Sequence, residues 1–395
     1  MTRRVYVDNS ATTPIHPQVI EEMLPYFTEK FGNPSSIHSF GREAKQAMDE
    51  ARERVAGAIG SRNDEIYFTG SGTEADNWAV KGAAYANRQK GNHIITTKIE
   101  HHAILHTCEY LEKHGFDVTY LDVDEYGQIS TEALREAIND RTILVSVMFA
   151  NNELGTIQPV EEIGRITKEK GIYFHTDAVQ AMGNIAIDVN KLNIDLLSVS
   201  AHKIRGPKGI GALYIRKGVR IDNLIHGGAQ ERKKRSGTEN VAAVVGLGKA
   251  AQLVSDNLRE HVGRMTFLRD RLISGIKEKI GHVRLNGHPI ERLANNVNFS
   301  FDFIEGEALL LSLDMVGIAA SSGSACTSGS LDPSHVLLAT GLNHETAHGS
   351  LRISLGEINT REDIDYILEQ LPPIVDRLRE LSPLFKQCEG GKVSV

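Results

Sequence analysis

The stretch Leu196-Leu-Ser-Val-Ser200-Ala-His-Lys203-Ile-Arg-Gly-Pro-Lys-Gly209 joins a short apolar run to a polar turn. Similar apolar runs recur between residues 65 and 215, and they alternate with segments of helical periodicity such as 41–59 and 74–87. Several of the runs are apolar on both faces, which is typical of parallel strands covered by helices. The alternation predicts an α/β fold with a mostly parallel, doubly wound sheet.

The predicted elements divide the chain into a larger and a smaller part. Strands of the larger part are expected at 65–69, 93–96, 117–121, 142–149, 173–176, 196–200 and 212–215. After about residue 257 the alternation stops, and the predicted elements are the helices 258–280, 306–315 and 361–381 and the strands 294–301 and 351–354. We therefore predict a large domain over 15–256 and a smaller α+β domain that combines 1–14 with 257–395.

The composition is that of an ordinary globular protein. Of the 395 residues, 41% are hydrophobic and 24% are charged. The formal net charge of −7 argues against a nucleic-acid or membrane partner that binds over the whole surface. No apolar run approaches the roughly 18 residues of a membrane span, and the basic start at residues 1–6 lacks the apolar segment of a signal peptide. The protein is therefore expected in the cytoplasm.

Three widely spaced cysteines fit neither a disulfide framework nor a paired-cysteine metal site. Cys108 lies in a helix-like stretch with apolar neighbours and is predicted to be in the core. Cys388 lies near the end of the chain and has no predicted role. Cys326 lies in the small, polar segment Ala320-Ser-Ser-Gly-Ser-Ala-Cys326-Thr-Ser-Gly-Ser-Leu-Asp-Pro333. A thiol that has to reach a substrate needs such a setting, so Cys326 is predicted to be reactive.

Lys203 follows directly on a predicted strand, and ligands of α/β proteins collect at strand ends. A lysine amine is a nucleophile only where burial or a nearby cation disfavours its ammonium form. Ser200 and His202 offer a hydroxyl and an imidazole that suit a phosphate. The alternative is a solvated surface lysine, which a single lysine on its own would favour.

Asp177 and Gln180 follow another apolar strand, in Phe174-His-Thr-Asp177-Ala-Val-Gln180. A carboxylate at this place can pair with a buried cation such as the protonated ring nitrogen of pyridoxal phosphate. Gln180 can donate to the phenolic oxygen of that ring. The alternative is an aspartate that caps a helix.

Small residues follow a third strand, in Thr69-Gly-Ser-Gly72-Thr73-Glu-Ala-Asp-Asn77. A helix start with Gly72 and the hydroxyl of Thr73 favours a bound anion. The glycine spacing matches neither the Walker nor the dinucleotide pattern. The alternative is a capped helix start without a ligand.

Four further short motifs supply polar side chains that are candidates for the same site. His101 and His102 are adjacent, so their side chains diverge; no metal site is predicted, and a flat imidazole suits ring stacking and proton transfer. Asn152 follows the most apolar strand and is either a ligand or a turn asparagine. Arg352, within an apolar strand, suits the carboxylate of a free amino acid. Thr238 follows a basic run and either reaches a phosphate or belongs to a solvated loop.

A set of short motifs resembles the cysteine desulfurases of the NifS/IscS type, which are fold-type I pyridoxal-phosphate enzymes of the class V aminotransferase family. The resemblance covers nearly the whole chain, from Tyr6 to the strand that holds Arg352. Its motifs are Gly32-Asn-Pro-Ser-Ser-Ile-His38, Gly-Thr-Glu at 72–74, Glu-His-His at 100–102, Asn-Asn-Glu at 151–153, Thr-Asp-Ala-Val-Gln at 176–180, Ser-Ala-His-Lys at 200–203, Arg-Ser-Gly-Thr-Glu-Asn at 235–240 and Ser-Ser-Gly-Ser-Ala-Cys at 321–326.

The resemblance implies a cysteine desulfurase with pyridoxal 5′-phosphate as cofactor. Lys203 would bind the cofactor covalently, His101 would stack on its ring, and Cys326 would take the sulfur of L-cysteine as a persulfide and leave L-alanine. Asn152 and Arg352 would orient the substrate. The implied cofactor-binding residues are Gly72, Thr73, Asn152, Asp177, Gln180, Ser200, His202, Lys203 and Thr238.

The resemblance also implies partners. Thr238 would reach the phosphate held by the other subunit of a homodimer. The sulfur would supply iron–sulfur cluster assembly or other thio-cofactors through a scaffold protein or another acceptor, and Cys326 would transiently contact a cluster together with that partner. Two residues depart from the family pattern: Arg205 stands where an aromatic residue is expected, and Gly329 replaces a more usual alanine. Neither departure removes a catalytic group.

Two alternatives stay open at this stage. The first is a related enzyme, either a selenocysteine lyase or an aminotransferase that uses the same lysine; an aminotransferase does not need the loop cysteine. The second is a sulfur-relay scaffold without turnover, which a purified protein whose yellow colour changes with cysteine would exclude.

Overall fold

The computed structural model describes residues 3–322, 333–383 and 385–386. Its strands are β1 (Val5–Tyr6), β2 (Ile66–Thr69), β3 (His93–Thr97), β4 (Asp117–Leu121), β5 (Thr142–Ser146), β6 (Tyr173–Asp177), β7 (Leu196–Ser200), β8 (Gly211–Ile215), β9 (Val283–Leu285), β10 (Asn296–Phe301), β11 (Ile318–Ala319) and β12 (Ser350–Ser354).

The helices connect and cover these strands. They are α1 (Pro17–Met23), α2 (Pro25–Thr28), α3 (Ser39–Ile59), α4 (Gly72–Ala86), α5 (His102–Glu112), α6 (Thr131–Ala137), α7 (Val160–Lys170), α8 (Gln230–Lys233), α9 (Val241–Asp256), α10 (Leu258–Lys279), α11 (Gly306–Met315), α12 (His335–Ala339), α13 (His344–His348) and α14 (Arg361–Leu381).

A seven-stranded sheet in the order β2-β8-β7-β6-β5-β3-β4 forms the centre of the chain. The strand β8 runs antiparallel to both of its neighbours, and the other pairs are parallel. Apolar clusters cover both faces: α3, α7 and α9 contribute to one, and α4 and α5 contribute to the other. The predicted α/β class with a mostly parallel, doubly wound sheet is confirmed.

A second sheet, in the order β12-β10-β9, is antiparallel and has three strands. Its apolar cluster takes side chains from α10, α11 and α14, and it includes Val5 and Val7 from the start of the chain. The short strand β1 pairs in parallel with β11. The assignment of domains to 15–256 and to 1–14 with 257–395 stays a prediction.

Several predicted strands and helices have bounds that differ by one to three residues from the observed ones. The strand predicted over 142–149 ends at Ser146, although the N–H groups of Val147 and Phe149 still donate to carbonyl oxygens of β6 and residues 147–150 are buried. The strand predicted over 294–301 begins at Asn296. Helix α4 begins two residues before the predicted start. None of the described helices is both long enough and apolar enough to cross a bilayer.

Candidate active site

The carboxyl ends of several strands of the large sheet surround a cavity of about 480 Å³. Parallel strands present these ends at one edge, so side chains that are far apart in sequence meet there. The lining contains most of the residues singled out in the sequence, namely Gly72, Thr73, His101, Asn152, Asp177, Gln180, Ser200, His202 and Lys203. Thr238 and Arg352 do not line it. Cys326 and Gly329 lie outside the described residues.

Lys203 ends a short turn of helix that follows β7. Its Nζ donates to the carbonyl oxygens of Ser10 (2.5 Å) and Ala11 (2.7 Å). Gln180 Nε2 donates to the same Ser10 carbonyl at 3.0 Å. The segment from Ser10 to Thr12 therefore forms one wall of the cavity and fixes two of the predicted site residues. No local signal in the sequence had marked Ser10 or Ala11 apart from the resemblance.

Asp177 is the last residue of β6 and is buried. Its Oδ1 accepts a hydrogen bond from the N–H of Val179 (2.9 Å), and turns rather than a helix follow it. Burial raises the pKa of Asp177 to about 6, against the opposing effects of the Val179 N–H and the Lys203 ammonium. The helix-cap alternative is therefore wrong, and the carboxylate is placed to meet a cation inside the cavity.

Asp76 is a second buried carboxyl at this cavity, and the sequence analysis did not identify it. Its Oδ1 lies 3.7 Å from Nε2 of His175, which is itself 3.0 Å from Ser198 Oγ. Burial, together with the charge of Asp177, raises the pKa of Asp76 well above its usual value. Two buried carboxylates close to each other cannot both ionise easily, so Asp76 holds its proton more tightly than an exposed aspartate does.

The helix α4 begins at Gly72, and its first residues line the cavity. Ser71 caps this helix, because its Oγ accepts from the N–H of Glu74 at 3.0 Å. A Cβ on Gly72 would lie 3.0 Å from Val179 Cγ2 and 3.2 Å from Ser200 Cβ, so a side chain would not fit without movement. The structure thus has the capped helix start, its first residues line the cavity, and the close packing explains the glycine. The anion site at this helix start stays a prediction.

His101 caps helix α5 and also lines the cavity. Its Nδ1 accepts from the N–H of Ala103 at 3.1 Å, so the ring proton lies on Nε2. Burial first, and then the Lys203 charge, lower the pKa of His101 to about 4, which keeps the ring neutral near pH 7. His102 points elsewhere and packs against the rings of His106 and His335, with centroids 4.9 and 4.8 Å away. Among the described residues, no three side chains of metal-binding type converge on a common point.

His202 and Lys208 add polar groups on the side of the cavity next to Ser200. Burial and the charges of Lys203 and Lys208 lower the pKa of His202 to about 4. Its Nδ1 lies 3.2 Å from Thr12 Oγ1. A neutral imidazole, a hydroxyl and a lysine next to a helix start make a suitable set of donors for a phosphate.

Arg352 lies in the middle of β12 and is 1% exposed. Its Nη2 donates to Asp8 Oδ1 at 2.9 Å, and its Nη1 lies 3.4 Å from the carbonyl oxygen of Asn152 at the cavity wall. Its Nε is buried and lacks a hydrogen-bond partner within the described part of the chain. The carboxylate predicted to pair with Arg352 is, within the chain, that of Asp8, which no motif in the sequence indicates. The Nε–H of Arg352 remains available to donate to a further acceptor.

The buried Cys108 confirms the prediction that this thiol lies in the core. It packs between α4 and the large sheet with other apolar residues. Burial raises the pKa of its thiol, so it stays protonated.

Comparison with known proteins agrees with this geometry. The family described as aminotransferase class-V matches residues 5–367. The protein named cysteine desulfurase IscS from Clostridium botulinum (strain Hall) is 64% identical over 394 residues, which cover 99% of each chain. The chain belongs to the cysteine desulfurases of the class-V aminotransferase family.

Solved structures give the same result for this cysteine desulfurase family member. A structure titled NifS-like protein has a TM-score of 0.90 and 43% identity, and the match covers 95% of this chain and 100% of that one. A structure titled SspA in complex with cysteine has a TM-score of 0.79 and 39% identity, over 89% of this chain and 98% of that one. The large sheet and the second sheet thus belong to an architecture that related enzymes share.

Pyridoxal phosphate is the cofactor of this family, and the lining of the cavity fits it. A buried carboxylate, a lysine amine, a flat neutral imidazole and a helix start surround one space. Ser10 Oγ and Asp76 Oδ1 are buried there and have no hydrogen-bond partner within the described ranges. A cysteine desulfurase needs these groups to hold a ring with a protonated nitrogen at one end and a phosphate at the other.

Proposed function

We propose that the protein is a pyridoxal-phosphate-dependent cysteine desulfurase that converts L-cysteine to L-alanine and transfers the sulfur to Cys326. The observation that carries this proposal is the meeting of Lys203, Asp177 and a neutral His101 in one buried cavity. The relative at 64% identity is named for this activity, and a related structure is titled as a complex with cysteine.

The residues that would hold the cofactor divide into three groups. Lys203 would bind it covalently, Asp177 and Gln180 would contact its ring, and His101 would stack on the ring face. The phosphate would lie among Gly72, Thr73, Ser200 and His202. When bound, the cofactor supplies an electron sink for the pair released when the substrate Cα loses its proton.

Lys203 is the group proposed to move that proton. Its Nζ lies in the lining of the cavity, where it would take the substrate Cα proton and return it. The carbonyl oxygens of Ser10 and Ala11, at 2.5 and 2.7 Å, hold the amine inside the cavity.

Asp177 is proposed to keep the ring nitrogen of the cofactor protonated. With a pKa of about 6, its carboxylate is mostly ionised at pH 7 even without a bound cation. A cation at that position would stabilise the ionised form further.

His101 is proposed to act as a stacking group and a hydrogen-bond donor. Since its Nδ1 accepts from the backbone, Nε2–H is the ring group left for the substrate. A pKa of about 4 makes this imidazole a poor base near pH 7. Any proton it transfers in the reaction therefore starts on Nε2.

The sulfur transfer balances with the thiol as the acceptor. The Cys326 thiolate attacks the substrate sulfur, an S–S bond forms, and the bond from the substrate Cβ to sulfur breaks. The electron pair of that bond goes to the substrate carbon, which takes a proton and becomes the methyl group of alanine. L-cysteine and one protein thiol thus give L-alanine and one protein persulfide, which an acceptor thiol or an iron–sulfur scaffold protein removes.

A homodimer is part of the proposal. Large apolar side chains are exposed along one segment near the start of the chain: Ile20, Leu24, Phe27, Phe31, Ile37 and Phe40, with Ile37 92% exposed. An exposed group of this kind usually marks an interface. Thr238 is exposed and does not line the cavity of its own subunit, so it is available to a neighbouring subunit. A single dimer mass in analytical ultracentrifugation, shifted towards monomer by Phe31→Asp, is the expected result.

The cellular setting is proposed from the sequence rather than from the site. A cytoplasmic location follows from the reducing environment that free thiols and a persulfide need. Detection of the protein in the membrane or secreted fraction would contradict it.

The experiment that tests the function is the release of alanine and sulfide from L-cysteine, with pyridoxal phosphate and a thiol reductant present. Equal amounts of both products are expected, with sulfide release lost in Cys326→Ser and kept in the matched control Cys388→Ser. Alanine and sulfide release that does not depend on Cys326 would indicate a lyase that expels sulfur directly. Mercaptopyruvate that forms only when a keto acid acceptor is added would indicate an aminotransferase.

A further inference from the structure

The segment from Gly227 to Asn240 leaves the large sheet and carries the exposed Thr238. Hydrogen bonds within it are local: Ser236 Oγ donates to the Gly228 carbonyl at 2.8 Å, and the N–H of Gly237 donates to Gln230 Oε1 at 3.1 Å. Two arginine–carboxylate pairs are among the contacts that tie the segment to the rest of the protein, and both lead to the same strand and turn. Arg232 Nη2 also donates to the Ile66 carbonyl at 2.6 Å, and Asn223 Nδ2 donates to the Lys233 carbonyl at 2.8 Å.

The first pair joins Arg235 to Glu74 in the first turn of α4. Arg235 Nε donates to Oε1 of Glu74 at 2.8 Å, and Nη2 donates to Oε2 at 3.1 Å. The side chains are 22% and 17% exposed. This two-pronged geometry fixes direction as well as distance, which a single lysine contact could not do.

The carboxylate of Glu74 also holds the anion loop. Its Oε2 accepts from the N–H of Gly70 at 2.8 Å, while the N–H of Glu74 donates to Ser71 Oγ. Gly70, Ser71, Gly72 and Thr73 all line the cavity. One carboxylate therefore touches the loop at the cavity on one side and the segment that bears Thr238 on the other.

The second pair joins Arg52 to Glu231 and is almost completely buried. Arg52 Nη1 and Nη2 donate to the two oxygens of Glu231 at 2.7 and 2.6 Å. Glu231 Oε2 also accepts from the N–H of Phe68 in β2, two residues before Gly70. Glu231, Arg232 and Lys233 all have positive φ, between 43° and 66°. Such a backbone persists only where its surroundings determine it, so the segment has little freedom relative to β2.

We propose that Glu74 and Arg235 are a positioning pair that couples the two cofactor-phosphate sites of the homodimer. An anion that orders the Gly70–Thr73 loop of one subunit fixes Glu74, which fixes Arg235 and the segment that offers Thr238 to the neighbouring subunit. The inference rests on the proposed dimer, in which Thr238 completes the partner's site. It assigns Glu74 and Arg235 a role in both sites, although neither contacts the cofactor.

The first test is equilibrium binding of pyridoxal phosphate to the cofactor-free dimer, followed by visible absorbance. Glu74→Gln and Arg235→Lys are each expected to weaken binding by roughly tenfold, a usual size for coupling between sites. Lys233→Ala, a neighbouring exposed cation, is the matched control and should leave binding unchanged. Unchanged binding in both Glu74→Gln and Arg235→Lys would overturn the proposal. Arg235→Lys keeps the charge, so it serves where a smaller side chain prevents folding.

Mixed dimers separate the two sites. In the first mixture, a Lys203→Ala chain pairs with an Arg235→Ala chain; the absorbing site then lacks its own Arg235 and receives an intact Thr238 segment. In the second, a Lys203→Ala/Arg235→Ala chain pairs with a wild-type chain; the absorbing site keeps its own pair and receives an unanchored Thr238 segment. Weakened binding in both mixtures is the expected result.

Other outcomes of the mixed-dimer test would contradict the coupling in different ways. A loss in the first mixture alone means that Arg235 acts only on its own anion loop, and this overturns the coupling. The second mixture can also be made with Thr238→Ala in place of Arg235→Ala. If binding of pyridoxal phosphate weakens with Thr238→Ala but not with Arg235→Ala, the coupling is overturned, and Thr238 still contributes to the site of the other subunit. If binding does not weaken with Thr238→Ala, or if the protein is a monomer, Thr238 does not contribute to the other subunit's site and the coupling is overturned as well. The release of alanine and sulfide tests the desulfurase activity independently of this result.

Discussion

The two sheets of the molecule supply functional groups in different ways. In the seven-stranded sheet, Asp177 is the last residue of β6 and Lys203 follows β7 by three residues. In the three-stranded sheet, Arg352 lies in the middle of β12, opposite Asn298 of β10. A side chain at a strand end borders the cavity on one side, whereas a side chain within a strand is surrounded by packed protein atoms. Substitutions at the first sheet should therefore affect chemistry alone, and substitutions at the second should affect chemistry and stability together.

Lys203→Ala should have the largest effect of all. Loss of the amine that binds the cofactor and moves the Cα proton should lower alanine formation by at least about 10³-fold. The free energy of unfolding of the cofactor-free protein should change by less than about 1 kcal/mol, because the amine lies in the lining of a cavity rather than in the packed core. Alanine release and urea denaturation measure the two quantities. A protein that is strongly destabilised would contradict the proposed difference between the sheets.

Asp177→Asn should have the next largest effect. An amide cannot keep the ring nitrogen protonated, so turnover should fall by about 10²-fold. Stability of the cofactor-free protein should stay the same or rise, since a buried carboxylate is replaced by a neutral group. Asp195→Asn is the matched control. Asp195 directly precedes β7, at the strand end opposite to the cavity, and it pairs with Arg216. It should keep its turnover.

Arg352→Gln should raise the KM for L-cysteine by about 30-fold, since a charged hydrogen bond to the substrate carboxylate is lost. It should also lower the free energy of unfolding by about 3 kcal/mol, because Asp8 would lose its buried partner. Asp8→Asn separates the two effects, as it should lower stability with a much smaller change in KM. Equal changes of KM in both variants would mean that Arg352 has a structural role only.

Glu100→Gln should have the smallest effect on turnover. Its main effect should be on the pH dependence of the unfolding free energy. Burial raises the pKa of Glu100 from 4.5 to about 8, so the folded protein holds this proton more tightly than the unfolded chain does. The resulting stabilisation is complete below pH 4.5 and is lost as the pH rises through 8. Glutamine is neutral throughout, so the part of the fall in unfolding free energy between pH 5 and 8 that Glu100 causes, roughly 3 kcal/mol for these two pKa values, should be absent from this variant. Glu109→Gln, at an exposed position of the same helix region, should leave the slope unchanged.

The sequence predicted elements best where their ends are marked by polar residues. The strands at 117–121 and 196–200 and the helices at 306–315 and 361–381 have the expected bounds. Helix α4 starts earlier than expected, because Gly72 and Thr73 resemble a loop although they begin a helix. Helix α9 was not recognised, because it is buried on several sides and shows little helical periodicity.

The site was predictable where the α/β rule applies and not elsewhere. Asp177 and Lys203 follow strands, so their meeting follows from the parallel sheet. Asp76 resembles an ordinary helical residue, and Asp8 meets Arg352 across 344 positions of sequence. No local pattern predicts such contacts. The roles of Thr238 and Cys326 remain predictions.

The wall segment at Ser10 and Ala11 has a consequence for how the molecule is made. The N–H of Ser10 donates to Ser354 Oγ at 2.8 Å, and the N–H of Asn9 donates to the Ser354 carbonyl at 3.2 Å. During synthesis, at about 5–20 residues per second, Ser354 follows Ser10 by roughly 17–70 s. The large sheet can form on the ribosome well before then. The hydrogen bonds that tie this wall to β12 thus become available only near the end of translation, whereas its partners Gln180 and Lys203 in the large sheet are made much earlier.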